Sequence, residues 1–461
     1  MAASPQPARY RPETTILELG DAFYDPVEPA RFPETRIRFR NDRAAAAVGL
    51  DGLSEEAWIA HFGRFAPLPG SLPAPLALRY HGHQFRVYNP DIGDGRGFLF
   101  AQLRDRDARL MDLGTKGSGQ TPYSRFGDGR LTLKGGVREV LATEMLEALG
   151  VETSRSFSLI ETGEALERGD EPSPTRSSVL VRLSHGHIRI GTFQRLAYER
   201  DAENMARLVA YVLRHFHGEA AGENGPARLL DHVVGRAARL AASYMAAGFV
   251  HGVLNSDNIN VTGESFDYGP WRFAPSWDPA FTAAYFDHAG LYAFGRQHEA
   301  IHWDAAQLAV SLRLLSAAEP LIAALETFAE RYQHAVADAI LWRLGVRSRD
   351  AADDRALVQM VEKALRSTDI SIDRFFFDAF GGRLPEGAPY EGAAWGEARA
   401  ALAAHEPRSS RDHPYWRGAA PCSMLIDEVE AIWAPIAEAD DWSRFDAKIA
   451  AVRTMGEALA G

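Results

Sequence analysis

The hydrophobic period of this chain changes once, near residue 190, and that change limits the folds open to it. From Leu76 to Ile160, short apolar runs (FLFAQL, ARLMDLGTK, SFSLI) alternate with Gly-rich turns, the pattern of strands and hairpins. One helix interrupts them. In VREVLATEMLEALG the residues Val137, Val140, Leu141, Met145, Ala148 and Leu149 recur at helical spacing, and Gly150 is a C-terminal stop. Residues 161–178 read as a polar loop, and SVLVRLSHGHIRIG after it as another strand. Beyond that point apolar residues recur at steps of three and four over 201–220, 226–248, 304–316 and 318–344, with strand-like pieces only around INVTGESFDYGP. A β-rich half followed by an α-rich half is an α+β arrangement.

The 461 residues allow two or three packed units. We expect an extended N-terminal arm over 1–75, a β-rich lobe over 76–190, a helical lobe over 191–345 and a helical extension over 346–461. The stretch PEGAPYEGAAW, residues 385–395, reads as a linker into the last helices, and no fixed-period repeat occurs. Hydrophobic residues at 46% and charged residues at 24% exclude wholesale disorder. With 50 Lys and Arg against 62 Asp and Glu, the net charge of −12 argues against nucleic acid and anionic membranes as partners. Cys422 is the single cysteine, so neither an internal disulfide nor a Cys-based zinc site is available. The opening MAASPQPARYRPETT lacks the apolar stretch of a signal peptide, and no run of apolar residues reaches membrane length. These features together predict a cytoplasmic protein.

The densest chemistry lies in FVHGVLNSDNINVTGESFDYGP, residues 249–270. His251-Gly252, then Asn258 seven residues after the His, then Asp267-Tyr268-Gly269 follow the order of a kinase-like catalytic loop and metal loop. There an Asn oxygen and an Asp carboxylate hold the magnesium that bridges nucleotide phosphates, and such hard oxygen donors suit that ion. Asn258 and Asp267 are therefore the metal-ligand candidates. Val253 occupies the place of the catalytic aspartate of an H-x-D loop and can take no proton. Asp257 is the nearby carboxylate left to serve as base.

A phosphate cradle is expected from the β-rich half. Gly93-Asp94-Gly95-Arg96-Gly97 and Gly114-Thr115-Lys116-Gly117-Ser118-Gly119 allow backbone N–H groups close to phosphate oxygens beside a neutralising cation. Both clusters are also compatible with plain hairpin turns, and neither matches the Walker or dinucleotide-binding pattern. Lys116 ends an apolar strand ahead of the helix bearing Glu139, the arrangement in which a strand lysine pairs with a helix glutamate. Asp128-Gly129, Arg182 and Arg189 are further candidates for phosphate contact.

His298-Glu299-Ala300-Ile301-His302 matches the zincin string H-E-x-x-H, but no third ligand stands at a recognisable spacing. We read it as a helix entry with Trp303 and Leu308 turned toward the core.

The strings YHGHQFRVYNPDIGDGRG from Tyr80, KGSGQTPYSRFGDGR from Lys116, VREVLATE, and HGVLNSDNINVTGESFDYGP together resemble the selenoprotein O family, kinase-like protein adenylyltransferases. The resemblance is dense from about residue 80 to 310. It implies a bilobal protein-kinase-like fold that binds ATP reversed, so that AMP passes to a Ser, Thr or Tyr hydroxyl of another protein. It further implies nucleotide contacts from Gly93, Gly95, Arg96, Lys116, Asp128, Gly129, Arg182 and Arg189, a lysine-pairing role for Glu139, Mg²⁺ or Mn²⁺ on Asn258 and Asp267, and Asp257 as proton acceptor. Arg86 and Gly135-Gly136 depart from the family's pattern. So does the C-terminus, MGEALAG, which lacks the terminal Cys or selenocysteine of many members. The rival functions are an ATP-binding pseudokinase scaffold, suggested by Val253, and a small-molecule phosphotransferase.

Overall fold

The computed structural model describes residues 9–169 and 171–461. Its first half is one curled antiparallel sheet with helices on both faces. In chain order the elements are β1 (Pro12–Glu13), β2 (Tyr24–Pro26), β3 (Arg36–Arg40), α1 (Asp42–Val48), α2 (Glu55–Phe62), β4 (Leu76–Leu78), β5 (Gly82–Gln84), β6 (Val87–Asn89), β7 (Leu99–Arg104), β8 (Leu110–Lys116), β9 (Leu131–Thr132), α3 (Leu133–Ala148), β10 (Arg155–Leu166) and β11 (Thr175–Ser184). The sheet order is β2-β4-β7-β8-β11-β10-β3, with β1 beside β7 and β9 beside β11, while β5 and β6 form a separate hairpin.

Alternate residues of the central strands serve opposite faces. Val179 and Val181 of β11 join Trp58 and Phe62 of α2 in one core, whereas Leu180 joins Val137, Val140 and Leu141 of α3 in the other. Trp58 stacks on Phe157 at 5.0 Å and donates its indole N–H to Ser158 Oγ at 2.8 Å. Gly136 lets α3 lie close to the sheet, since a Cβ there would meet Leu159 Cδ1 at 2.4 Å.

Residues 9–75 are not the extended arm that the sequence suggested. Their strands belong to the sheet, with Pro12 opposite Leu103, Tyr24 opposite Leu78 and Arg40 opposite Ser158. Such two- to five-residue strands are stabilised by distant partners and carry little local signal. The expected loop 161–178 is also shorter, because β10 and β11 run on as a hairpin to Leu166 and from Thr175. Its polar residues pair across the strands: Arg176 donates to Glu161 at 2.7 Å.

The second half is helical: α4 (Ile190–Glu199), α5 (Ala202–His217), α6 (Gly225–Ala247), the short pair β12 (Phe249–Val250) and β13 (Arg272–Phe273), α7 (Gln297–Leu312), α8 (Ala318–Glu326), α9 (Phe328–Leu344), α10 (Ala351–Arg366), α11 (Ile372–Ala379), α12 (Ala393–Ala403), α13 (Ile426–Ala439) and α14 (Ser443–Ala460). The stretch 318–344 is two helices broken at Thr327, whose hydroxyl bonds back to Ala324 O. The C-terminal extension divides. Helices α10 to α12 share a core with α9, but α13 and α14 return to the β-rich lobe. There Arg453 grips buried Glu144 of α3 at 2.8 and 2.9 Å, and Lys134 meets Glu430 at 2.7 Å. No helix among the described residues is long and apolar enough to cross a membrane.

A β-rich lobe and a helical lobe thus face each other across a cleft, with a strand-borne lysine and a helix-borne glutamate at its floor. This is the kinase-like plan expected from the sequence.

Candidate active site

The cleft has a volume of 820 Å³ and takes its walls from both lobes. Gly93, Gly95, Arg96, Lys116, Asp128, Gly129, Arg182, Arg189, Asp257, Asn258 and Asp267 all line it. Glu139 lies behind this lining, on α3, and reaches the cleft through its ion pair with Lys116.

Cations converge on the deep end. Lys116 closes β8, Arg182 lies on β11, and Arg189 precedes α4; they are 5%, 4% and 3% exposed. Asp267 is their common counter-ion: Arg182 contacts Oδ1 at 2.5 Å, Arg189 contacts Oδ2 at 2.7 Å, and Lys116 lies 3.8 Å from Oδ1. Burial works to raise the Asp267 pKa, but Arg182, Arg189 and Lys116 outweigh it and hold the carboxyl well below its usual range. Burial also lowers the Lys116 ammonium, against the pull of Glu139. Asp267 holds a left-handed backbone, φ +61°, a conformation uncommon for non-glycine residues. Arg189 additionally reaches Asp94 Oδ1 at 3.2 Å and the Asp257 carbonyl at 2.9 Å, tying the two lobes together.

Asp257 stands opposite in the one-turn helix Ser256–Asn258, 8% exposed. Burial pushes its pKa up to about 6, with Arg189 partly opposing. Oδ2 faces the Gln84 amide at 3.5 Å, and Oδ1 has no partner. Asn258 gives its amide N–H to Val253 O at 2.9 Å, which leaves its side-chain oxygen for the cleft. Among the described residues no group of three or more His, Cys, Asp or Glu could hold a metal. A cation here would draw on the Asn258 and Asp267 oxygens and complete its shell with phosphate and water, as magnesium does.

The glycines also answer a packing demand that the sequence does not show. The segment 121–124 crosses directly over Gly93 and Gly95: a Cβ on Gly93 would fall 2.5 Å from the Tyr123 ring, and one on Gly95 2.9 Å from Tyr123 O. Ser124 Oγ donates to Gly95 O at 2.5 Å, and Thr121 Oγ1 to Asp94 O. These contacts fold the two loops into one rim of the cleft. At its mouth Asp128 is exposed and ion-paired with Arg168 at 2.9 Å, and the Phe126 ring is fully exposed.

Several residues near the site carried no assignment from sequence. Asp94 was visible only as part of a glycine cluster. Gln84 and Phe126 stand in no spacing or pattern that marks a role. Asp304 of α7 is 1% exposed with both carboxyl oxygens unpartnered, and burial together with Asp257 raises its pKa well above the usual range. The H-E-x-x-H string is structural: His298 stacks on Tyr332 at 4.7 Å and His302 on Phe328 at 4.6 Å. Leu308 is buried as expected, and Trp303 is half-buried beside His83 and Arg86.

The family model "Protein adenylyltransferase SelO" matches residues 8–381. Proteins named protein nucleotidyltransferase YdiU from Synechococcus elongatus and Synechocystis are 42% and 43% identical, over 97% and 94% of this chain and 96% of each of theirs. That of Gloeobacter violaceus is 45% identical, over 94% of this chain and 93% of its own. Among solved structures, a Toxoplasma gondii rhoptry antigen kinase domain is similar over 64% of this chain and 85% of that one, at 12% identity and a TM-score of 0.30.

Proposed function

The chain belongs to the SelO family of protein adenylyltransferases and is a nucleotidyltransferase enzyme; from that premise we propose that it moves AMP from ATP to a Ser, Thr or Tyr hydroxyl of a protein. Pyrophosphate leaves, and Mg²⁺ or Mn²⁺ assists. The observation that carries this reading is the opposition, across one cleft, of three buried cations and the buried Asp257 carboxylate.

The acceptor oxygen bonds to the α-phosphorus while its proton passes to the Asp257 carboxylate. The bond from the α-phosphorus to the oxygen bridging it to the β-phosphorus breaks, and its electron pair leaves with pyrophosphate. A carboxylate whose pKa is about 6 is ionised at neutral pH yet basic enough to take that proton. Lys116, Arg182 and Arg189 are placed to neutralise the departing charge, and Glu139 fixes the lysine. Asn258 and Asp267 would hold the metal, whose chemistry there would be to draw charge from the phosphates. The exposed Phe126 ring offers a face on which a base stacks. Val253 supports the same reading, because a kinase-type base is missing from its usual place. We assign the reaction to the cytoplasm, in keeping with the single, half-buried Cys422.

Incubation with protein substrates and ATP labelled at the α or the γ position tests the proposal. Label is expected on protein from the α position alone. Transfer from γ alone would overturn it, and α-labelled UTP in parallel reports whether UMP is also accepted.

A further inference from the structure

The β5–β6 hairpin belongs by sequence to the β-rich lobe, yet it is seated on the catalytic loop of the helical lobe. His83 N donates to Ser256 Oγ at 2.7 Å and Phe85 N to Asn255 Oδ1 at 3.0 Å, so it binds the two residues preceding Asp257. Gly82 lies against Asp257 itself: a Cβ there would come within 2.9 Å of Asp257 Cβ. The turn of the hairpin is Phe85-Arg86, both with positive φ (+49° and +64°), the conformation of a tight hairpin turn that normally takes Asn or Gly. Two bulky residues hold it because the Phe85 ring packs on Tyr292 at 5.0 Å and the Arg86 guanidinium lies over Trp303 at 5.4 Å. Strain kept in place by contacts beside a reacting group is a mark of a functional element.

At the centre of this hairpin is Gln84. Its Nε2 faces Asp257 Oδ2, and its Oε1 accepts from Asn89 Nδ2 at 3.0 Å, which fixes the amide with its N–H toward the carboxylate. We propose that Gln84 is the positioning residue for Asp257: with Oδ1 buried against Gly82, it anchors Oδ2 and so fixes the carboxylate for the acceptor hydroxyl, with Asn89 holding Gln84 in turn. The contact is long, 3.5 Å, as catalytic hydrogen bonds often are before substrate tightens them. Without it the buried carboxylate is free to rotate about its side-chain bonds, and misplacement of a reacting group by about 1 Å costs roughly 100-fold in rate.

This inference rests on Asp257 being the base, and the test separates the two. Gln84→Ala, Gln84→Asn, Asn89→Ala and the double variant Gln84→Ala/Asn89→Ala are assayed for kcat and KM of AMP transfer, with Asp257→Asn alongside. Gln84→Ala is expected to lower kcat about 10- to 100-fold with KM for ATP within two-fold, and Asn89→Ala to lower it several-fold. Asn89 also caps Asp91 N at 2.9 Å, but its effect on Asp257 runs through Gln84, so the double variant should match Gln84→Ala within two-fold rather than multiply the losses. Gln84→Asn, which keeps an amide on a shorter arm, should recover part of the rate. Multiplying losses, or Gln84→Ala at the parent kcat while Asp257→Asn is inactive, would overturn the positioning role alone. Full activity of Asp257→Asn would overturn the base assignment instead. If Gln84→Ala does not fold, Gln84→Asn and Asn89→Ala decide by the same comparison of kcat with KM.

Discussion

Replacing Asp257 with Asn should remove activity and make the protein more stable, and the size of the second effect follows from the site. Burial raises the carboxyl from its usual 3.8 to about 6. The folded state therefore keeps a proton that the unfolded chain has already lost, and stability falls as pH rises through this interval. Below the unfolded value both states are protonated and nothing is lost. Above about 6 the whole penalty is present, about 3 kcal/mol at about 1.4 kcal/mol per pH unit. Asn carries no charge to desolvate and can still accept from Gln84. Asp257→Asn should accordingly gain up to about 3 kcal/mol at pH 7.5, or about 3 °C in thermal midpoint for a chain of this length, and close to nothing at pH 4. Urea denaturation of both proteins with EDTA and no nucleotide, at pH 4, 5, 6 and 7.5, measures the difference. Transfer should fall by roughly 100- to 10,000-fold, the usual weight of a general base. A variant less stable at pH 7.5, or a gain that does not change with pH, would show that the carboxylate is not desolvated as described.

Asp267→Asn should act on stability in the opposite sense. It strips Arg182 and Arg189 of their shared counter-ion, at a cost of about 3 kcal/mol in urea denaturation, and should abolish metal-dependent binding in a titration with a fluorescent ATP analogue. Lys116→Ala leaves buried Glu139 without its cation and should weaken ATP binding in the same titration by 10-fold or more. His298→Ala/His302→Ala should leave transfer within two-fold and the zinc content by elemental analysis at zero, while thermal stability drops by about 0.5–1.5 kcal/mol for each lost ring stack. Arg453→Met should cost about 3 kcal/mol by uncovering buried Glu144.

The readable parts of this fold are those whose signal is local. Helix α6 ends at Gly248 with φ +71°, where an apolar period meets a residue that tolerates the left-handed turn. Helix α3 was legible for the same reason, through Val137, Val140, Leu141 and Gly150. Strands β1 to β3 were not, although RIRFR alternates as a strand should, because what holds them is pairing with β7, β4 and β10, and the alternation does not say with whom. The return of α14 to α3 was hidden likewise: Arg453 and Glu144 lie 309 residues apart and each looks like a surface charge on its own helix.

The site divides along the same line. Lys116, Glu139, Asn258 and Asp267 follow the order expected of a phosphate and metal site, and the structure gathers Lys116, Asn258 and Asp267 in one cleft with Glu139 paired to the lysine. Glycine gave the right place for a different reason, since a missing Cβ admits a neighbouring loop as readily as a phosphate, and at Gly93 and Gly95 the structure fills that space with Tyr123. Gln84 could not be read at all. An amide in a short hairpin has no spacing rule, and its meaning depends on Asp257, 173 residues away, being brought against it. Charge follows as well. A chain with net charge −12 gathers Lys116, Arg182 and Arg189 at one buried point, and among the described residues Asp267 alone contacts all three. A nucleotide arriving with its own negative charge and a divalent cation would relieve that aspartate of the role of counter-ion and free its oxygens for the metal proposed there. On the proposed function, phosphate and metal would then bind as a pair, each supplying the partner that the other takes away.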